Sequence, residues 1–183
     1  SAFYFDIRKD NLYCDSKNSK KRQSTILMLN IILNSLLKWF APILSFTTEE
    51  IYRLILNDKK SIHLEKFIEF PKNFKNEQLN EKWLKLIKIR NICNISIEEK
   101  RASKEIGSSL EAKLKIYLNS KLSEITENID FSELCITSSV DVIYDKSFEI
   151  NVETTKAKGS KCPVCWKITE EACSREACQI NLE

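Results

Sequence analysis

Glycine, proline and histidine are scarce in this sequence. Its 183 residues include 2 glycines, 3 prolines and 1 histidine. So few glycines and prolines predict long regular elements joined by few tight turns. The phosphate-binding patterns GxxxxGK(S/T) and GxGxxG do not occur. The nucleophile pattern GxSxG and the metal-binding pattern HExxH are also missing. His63 stands between two apolar residues, and we expect it to be a structural side chain rather than a catalytic base.

Uninterrupted apolar runs of membrane-spanning length are missing too. The most apolar stretch covers residues 26–46, but Asn30, Asn34, Lys38 and Pro42 interrupt it. It is therefore predicted to be a buried helix rather than a membrane span. The first residues lack the basic and apolar regions of a secretory signal. Hydrophobic residues make up 43% and charged residues 30%, as in folded globular chains. We expect a cytoplasmic protein with no membrane partner.

Positive charge is concentrated near the start of the sequence, although the formal net charge is only +3. Residues 1–22 contain these basic side chains and aspartates: Arg8, Lys9, Lys17, Lys20, Lys21 and Arg22 against Asp6, Asp10 and Asp15. A basic edge of this kind fits a polyanion partner such as nucleic acid. It fits a solvated surface equally well, so the charge alone does not decide between the two interpretations.

The first half of the sequence has a helical pattern. Between Lys20 and Ser45 apolar residues recur at steps of three and four, which predicts a long helix with a wide apolar face, placed in the middle of a bundle. Pro42 should kink or end this helix. Thr47 and Glu50 have the spacing of a capping box for a second helix through residue 56. A connector covers residues 61–74, and a third helix is predicted for residues 79–101.

The spacing of apolar residues changes after Gly107. Leu114, Ile116 and Leu118 alternate with polar residues, as in a half-buried strand. Ser120 could cap a short helix, and residues 134–136, 140–144 and 148–152 are predicted strands. We therefore expect a mainly α protein: a helical bundle, a small α/β unit beginning near residues 106–110, and a cysteine knuckle after residue 158.

Four of the seven cysteines lie close together near the end of the sequence, at Cys162, Cys165, Cys173 and Cys178. A Cys-x-x-Cys turn points two thiolates toward one tetrahedral corner, and a second pair completes the sphere that Zn²⁺ prefers. Such a zinc site would be structural, and the metal would supply the folding free energy of a segment with few apolar residues. The second pair has a four-residue spacer, which departs from the usual two. A redox dithiol or a knuckle without metal are the alternatives.

The other three cysteines are scattered, at Cys14, Cys93 and Cys135. An odd total with this scatter indicates reduced thiols in a cytosol rather than a disulfide framework. Trp166 follows the first cysteine pair between Lys161 and Lys167. An indole beside positive charge can stack on an unpaired RNA base. It could equally serve only to shield the metal.

Four segments together resemble the end of the bacterial-type isoleucyl-tRNA synthetases. Residues 3–15 resemble a late helix of the anticodon-binding bundle of that family, and residues 39–52 are similar to its W-x-A-P-x-x-x-F-T-x-E-E signature. Residues 101–112 resemble its K-x-I-G-S-S-L-E-A segment, and residues 161–166 resemble its C-terminal zinc finger. Leucyl and valyl relatives share the second of these segments, whereas the third and fourth favour isoleucine.

The resemblance implies a ligase that attaches isoleucine to its tRNA, with ATP and Mg²⁺ bound in a catalytic domain outside these residues, since no HIGH or KMSKS segment occurs. What remains is expected to bind the anticodon region of the tRNA as part of a monomer. Trp166 matches the tryptophan that approaches the anticodon, whereas Val164 stands where a basic residue is frequent. The side chains expected to contact tRNA phosphates are Arg8, Lys9, Lys21, Arg22 and Lys167.

The expected domains are residues 1–75, part of the helical anticodon-binding domain, residues 76–157, a helix with a small α/β junction domain, and residues 158–183, the cysteine knuckle. Two other readings stay open. One is a zinc module that contacts proteins and has no role with tRNA. The other is the equivalent region of a valyl or leucyl relative.

Overall fold

The computed structural model describes residues 2–56, 60–146, 150–173 and 175–180. Its helices are α1 (Ala2–Cys14), α2 (Lys20–Phe40), α3 (Ser45–Leu56), α4 (Glu77–Ala102), α5 (Ser123–Thr126), α6 (Phe131–Cys135) and α7 (Glu176–Ile180). Its strands are β1 (Ala112–Asn119), β2 (Ser139–Asp145), β3 (Asn151–Lys156), β4 (Ser160–Lys161) and β5 (Ile168–Thr169). Short 3-10 turns cover Ile62–Leu64, Lys72–Phe74, Ser109–Glu111 and Ser120–Leu122. The chain is mainly helical with a small sheet region, as expected.

The described residues pack as two compact units, each with its own core. One unit is Lys17–Lys75, and the other joins Ser1–Ser16 to Asn76–Glu183. Packing therefore groups the first helix with the later part of the chain. The division into domains 1–75, 76–157 and 158–183 stays a prediction.

The unit of residues 17–75 is built on α2, α3 and the 3-10 turn after them. Its core contains Leu37, Ala41, Tyr52 and Ile62, all less than 10% exposed. The side chain of Ser19 caps α2 by accepting from the Arg22 amide at 3.4 Å. The helix ends at residue 40, just before the predicted break at the proline, so this prediction is confirmed.

The predicted capping box at Thr47 and Glu50 is wrong. Helix α3 already begins at Ser45, because the amides of Leu44 and Thr48 bond to the carbonyls of Phe40 and Leu44 at 2.8 and 2.9 Å. The chain thus passes from one helix to the next through a turn with backbone hydrogen bonds. The Thr48 hydroxyl donates to the Leu44 carbonyl at 2.9 Å.

The second unit packs α4 against a three-stranded sheet. The strand order is β2-β1-β3, with β1 parallel to β2 and antiparallel to β3. Alternate residues of β1 are completely buried and pack in one core with one face of α4: Leu114, Ile116 and Leu118 with Leu86, Ile89, Cys93 and Ile97. The third helix and the strands at residues 114–118 and 140–144 are therefore confirmed, while the short helix after residue 119 is capped by Asn119 rather than by Ser120.

The predicted strand at residues 134–136 is wrong, because this segment lies in the short helix α6 and its C-cap. The Asp130 carboxylate caps that helix by accepting from the amides of Ser132 and Glu133 at 3.0 and 3.2 Å. Ile136 ends it with a left-handed backbone, φ 57°. For the predicted strand at residues 148–152, positions 147–149 lie outside the described residues, and β3 begins at residue 151. Within the described parts of the chain, no helix combines the length and apolar character needed to cross a membrane.

Candidate metal centre and nucleic-acid interface

The structure brings the four predicted metal ligands together. The Sγ atoms of Cys162, Cys165, Cys173 and Cys178 all lie within 4.8 Å of one another. The Sγ atoms of Cys165 and Cys173 are 3.9 Å apart. Four sulfurs bound to one Zn²⁺ at about 2.3 Å would be roughly 3.8 Å apart in a tetrahedron, so this donor set fits the metal. Cys173 is half-buried and the other three are buried, which leaves little room for water as a ligand.

Backbone hydrogen bonds shape the first cysteine turn. The Cys162 amide donates to the Lys167 carbonyl, and the Trp166 amide donates to the Cys162 carbonyl, both at 2.9 Å. Trp166 itself has a left-handed backbone, φ 63°. Strands β4 and β5 flank this turn as an antiparallel pair. These hydrogen bonds define the backbone of the turn from which both thiols of the pair project.

The thiols of the cluster differ in acidity. Burial alone would raise the pKa of Cys162, but hydrogen bonds from the amides of Cys165 and Val164 stabilise its thiolate and lower the pKa to about 7. Burial raises the pKa of both Cys165 and Cys178. Since metals bind thiolates, Cys162 offers a ligand that deprotonates more easily than Cys165 or Cys178.

Trp166 is exposed beside this cluster, with 60% of its surface accessible. Its Nε1 donates to the Pro163 carbonyl at 3.1 Å, which fixes the orientation of the indole. The Lys161 ammonium lies 5.7 Å from the ring centroid and 3.7 Å from a carboxylate oxygen of Glu111. The arrangement therefore combines an oriented aromatic ring with a nearby cation, as a platform for stacking requires.

The predicted phosphate contacts are divided between the two units. Arg8 bonds to the Glu133 carboxylate and donates to the Asn11 side chain at 3.3 Å, so most of its charge is used within the protein. Lys9 forms an exposed ion pair with Asp6 at 2.9 Å. These two residues and the half-buried Lys167 belong to the same unit as the sulfur cluster. Lys21 and Arg22 belong to helix α2 of the other unit.

An ion-pair cluster beside the sulfurs was not foreseen. Arg175, in the spacer of the second cysteine pair, bonds to Asp10 at 2.6 Å and lies 3.4 Å from Asp15. Burial alone would raise the pKa of Asp10, but Arg175 and the charge of Lys167 hold it below its usual value. The long spacer was the only signal in the sequence that an extra residue had a task there. Nothing in the sequence pointed to its partners, Asp10 on α1 and Asp15 directly after that helix.

Cys14 was also missed as a neighbour of the four clustered cysteines. It is 7% exposed and packs in one cluster with Cys162, Cys165 and Cys178. Burial, followed by the charge of Asp10, raises the pKa of the Cys14 thiol to about 11. Cys93 and Cys135 lie in the core between α4 and the sheet. None of the seven cysteines, all within the described residues, is joined in a disulfide.

Comparison with known proteins identifies the family. Residues 1–118 match the family described as the anticodon-binding domain of tRNA ligase. The chain belongs to this family. Its matched residues include α1, α2, α3 and α4 and reach into β1, whereas the sulfur cluster lies beyond them.

Curated relatives of this anticodon-binding chain are isoleucine–tRNA ligases. The protein of that name from Pelagibacter ubique strain HTCC1062 is 64% identical over 97% of the chain and 20% of its own length. Those from Agrobacterium fabrum and Bartonella henselae are 40% and 39% identical, each over 93% of the chain and 19% of its own length. The chain thus spans about a fifth of the length of the curated relatives it matches.

Proposed function

We propose that this chain recognises tRNA, at the anticodon region, as the C-terminal part of an isoleucine–tRNA ligase. The observation that carries the proposal is the family match over residues 1–118, together with relatives that are isoleucine–tRNA ligases over nearly the whole chain. The complete protein attaches isoleucine to its tRNA with ATP and Mg²⁺ bound in a catalytic domain outside this chain. By the same resemblance it acts as a monomer in the cytoplasm.

The apolar surface of the unit of residues 17–75 supports a larger protein. Leu27, Ile43, Phe46 and Leu54 on or beside its two long helices are each more than 60% exposed. Isolated globular domains rarely expose so many large apolar side chains together. The class I type of helical bundle would cover this surface with further helices of the complete ligase.

Zn²⁺ is the metal we propose for the cysteine cluster. Cys162, Cys165, Cys173 and Cys178 would bind it with all four positions filled, so the ion would be structural and take no part in chemistry. When bound, it supplies a rigid crosslink between two chain segments that have little core of their own. The chain's residues then keep the Trp166 indole at a fixed position beside the Lys161 ammonium.

Recognition combines stacking with phosphate contacts. Trp166 would stack on an unpaired base of the anticodon region, while Lys167 and Lys9 contribute charge near phosphates. Lys21 and Arg22 would do the same from the other unit. Arg8, also predicted as a phosphate contact, has its charge compensated by Glu133, and we now expect a smaller contribution from it.

The test replaces Trp166 by alanine in the complete ligase. Stacking on one base is worth about 1–3 kcal/mol, so the KM for tRNA should rise by about tenfold. Isoleucine-dependent pyrophosphate exchange, which needs no tRNA, should not change. Phe74→Ala removes another exposed aromatic ring, 61% accessible and outside the cysteine cluster, and serves as the matched control. An unchanged KM for Trp166→Ala would refute the stacking role.

Two alternatives give different results in the same assays. A leucyl or valyl ligase would support pyrophosphate exchange with leucine or valine far better than with isoleucine. A zinc module that only contacts proteins would leave the KM for tRNA unaffected by every substitution around Trp166.

A further inference from the structure

The two cysteine pairs are attached to different parts of the unit that contains them. The first pair is linked to the sheet, because the Ile168 amide of β5 donates to the Ser138 hydroxyl at 2.7 Å, next to β2. The Ser138 hydroxyl in turn donates to the Leu110 carbonyl just before β1. Lys161 of β4 adds its contact with Glu111. The first cysteine pair is therefore attached to the sheet.

The second pair is linked to helix α1 instead. Helix α7, which contains Cys178, packs against α1. Arg175 lies between Cys173 and α7, and its two terminal nitrogens reach the two oxygens of the Asp10 carboxylate at 2.7 and 2.6 Å. A carboxylate oxygen of Asp15 lies 3.4 Å from the guanidinium nitrogen that is 2.6 Å from Asp10. A bidentate pair of this kind fixes the orientation of the guanidinium as well as its distance from the carboxylate.

The surroundings of the ion pair favour a defined geometry. The side chains of Arg175, Asp10 and Asp15 are only 27%, 25% and 15% exposed. The Asn11 side chain, 2% exposed as a residue, donates to Asp15 at 3.1 Å and so restrains its carboxylate. The α7 helix has five residues, too few to be stable alone, so its attachment to α1 decides where Cys178 lies.

We propose that Arg175 is a positioning residue that holds Cys173 and Cys178 beside Cys162 and Cys165, so that metal binding joins helix α1 to the sheet. This inference rests on the proposed zinc site. The proposal also explains why the second cysteine pair has a four-residue spacer, because that spacer contains Arg175. Helix α1 belongs to the matched anticodon-binding family region, and Trp166 to the knuckle, so the ion pair links the two.

The test measures how fast the zinc-loaded 183-residue chain gives up its metal to a chromogenic chelator. Removing a partner outside the ligand sphere costs about 10–100-fold in metal affinity, so Arg175→Met should release zinc at least about tenfold faster. Arg175→Lys keeps the charge but loses the bidentate pair, so it should release zinc at a rate between those of the wild type and Arg175→Met. Arg101→Met breaks an exposed ion pair with Glu98 at the end of α4 and is the matched control. Its release rate should not change.

A metal-free readout tests the attachment itself. In the chelated protein, Arg175→Met should speed amide hydrogen exchange in the second half of α1, while exchange in β1 stays slow. Asp10→Asn should produce the same two effects, and the double substitution should add little to either single one, because both remove one interaction. Independent, fully additive effects would overturn the proposal, as would wild-type zinc release by Arg175→Met. A wild-type chain that binds no zinc would overturn it too.

The outcomes separate this inference from the proposed function. If Arg175→Met accelerates zinc release while Trp166→Ala leaves the KM for tRNA unchanged in the complete ligase, Arg175 positions the knuckle and the stacking role fails. If Trp166→Ala raises the KM and Arg175→Met changes neither zinc release nor exchange, the stacking role stands and the anchoring role of Arg175 fails.

Discussion

Gly159 joins the last strand of the sheet to the cysteine knuckle, and its backbone is one that other residues rarely adopt. Its φ is +118°, and a Cβ atom built there would lie 2.1 Å from the Thr169 carbonyl oxygen. No side chain fits without moving β4 away from β5. The two strands and the first cysteine pair that they flank therefore depend on this one residue.

Gly159→Ala should consequently destabilise the knuckle. Strain at this φ and the overlap with backbone atoms should together cost more than about 2 kcal/mol. Zinc should bind more weakly, and thermal unfolding should begin at a lower temperature. Gly107→Ala is the control, since the nearest atoms to its added Cβ are those of the Glu111 carboxylate at 3.5 Å or more. Equal stability of the two alanine variants would contradict the proposed strain.

At the scale of residues, the sequence identified side chains with a local pattern and missed those that meet over long distances. The cysteines and Trp166 stand within a short motif, so their types and spacing were sufficient. Arg175 and Asp10 are 165 positions apart, and no sequence pattern around either residue predicts that they pair. Only the folded chain brings them together.

At the scale of elements, Glu49 connects α3 to the turn that follows it. Its carboxylate accepts from the Ile62 amide at 2.8 Å, from the Ser61 hydroxyl at 2.9 Å and from Arg53 at 2.7 Å. Burial alone would raise the pKa of this carboxyl, but these hydrogen bonds hold it below its usual value.

Glu49→Gln should lower the melting temperature of the chain at neutral pH. The carboxylate has a lower pKa in the folded state, so its stabilisation is complete above the unfolded pKa of about 4.3 and is lost as the pH falls through the folded pKa. Melting curves from pH 7 downward should therefore show the difference from wild type shrinking below about pH 4. Glu50→Gln changes the exposed neighbour and should have little effect at any pH. A difference that grows in acid would refute this account.

Periodicity predicted the long elements well and the short ones poorly. The apolar pattern of helices α2 and α4 and of strand β1 repeats often enough to predict whether each segment is a helix or a strand. Residues 134–136 offer only a few apolar positions, which fit a strand or a helix equally. The Asp130 cap and the left-handed Ile136 decide for a helix. The start of α3 was missed because continuous backbone hydrogen bonds replaced the expected cap.

At the scale of the whole molecule, chain order does not predict which segments pack together. The first 16 residues join the unit formed after residue 75. The contacts responsible are both apolar and polar. Phe3 packs against Trp83 at the edge of the core and Cys14 packs in the cysteine cluster. Arg8 pairs with Glu133 and Asp10 with Arg175. A hydrophobic pattern carries no information about the polar pairs.

Removal of the proposed zinc ion should divide this discontinuous unit into a part that loses its structure and a part that keeps it. The knuckle has few apolar residues besides its cysteines, whereas β1 and α4 share a core of fully buried side chains. After chelation, amide hydrogen exchange should become fast in β4 and β5 and stay slow in β1 and α4, while the Arg175–Asp10 pair keeps α7 on α1. Cys173→Ser should reproduce the chelated state without chelator. Cys93→Ser places a polar hydroxyl in the α4 core, so it should lower stability while zinc binding persists. If chelation left exchange in the knuckle unchanged, the four cysteines would not owe their arrangement to a metal.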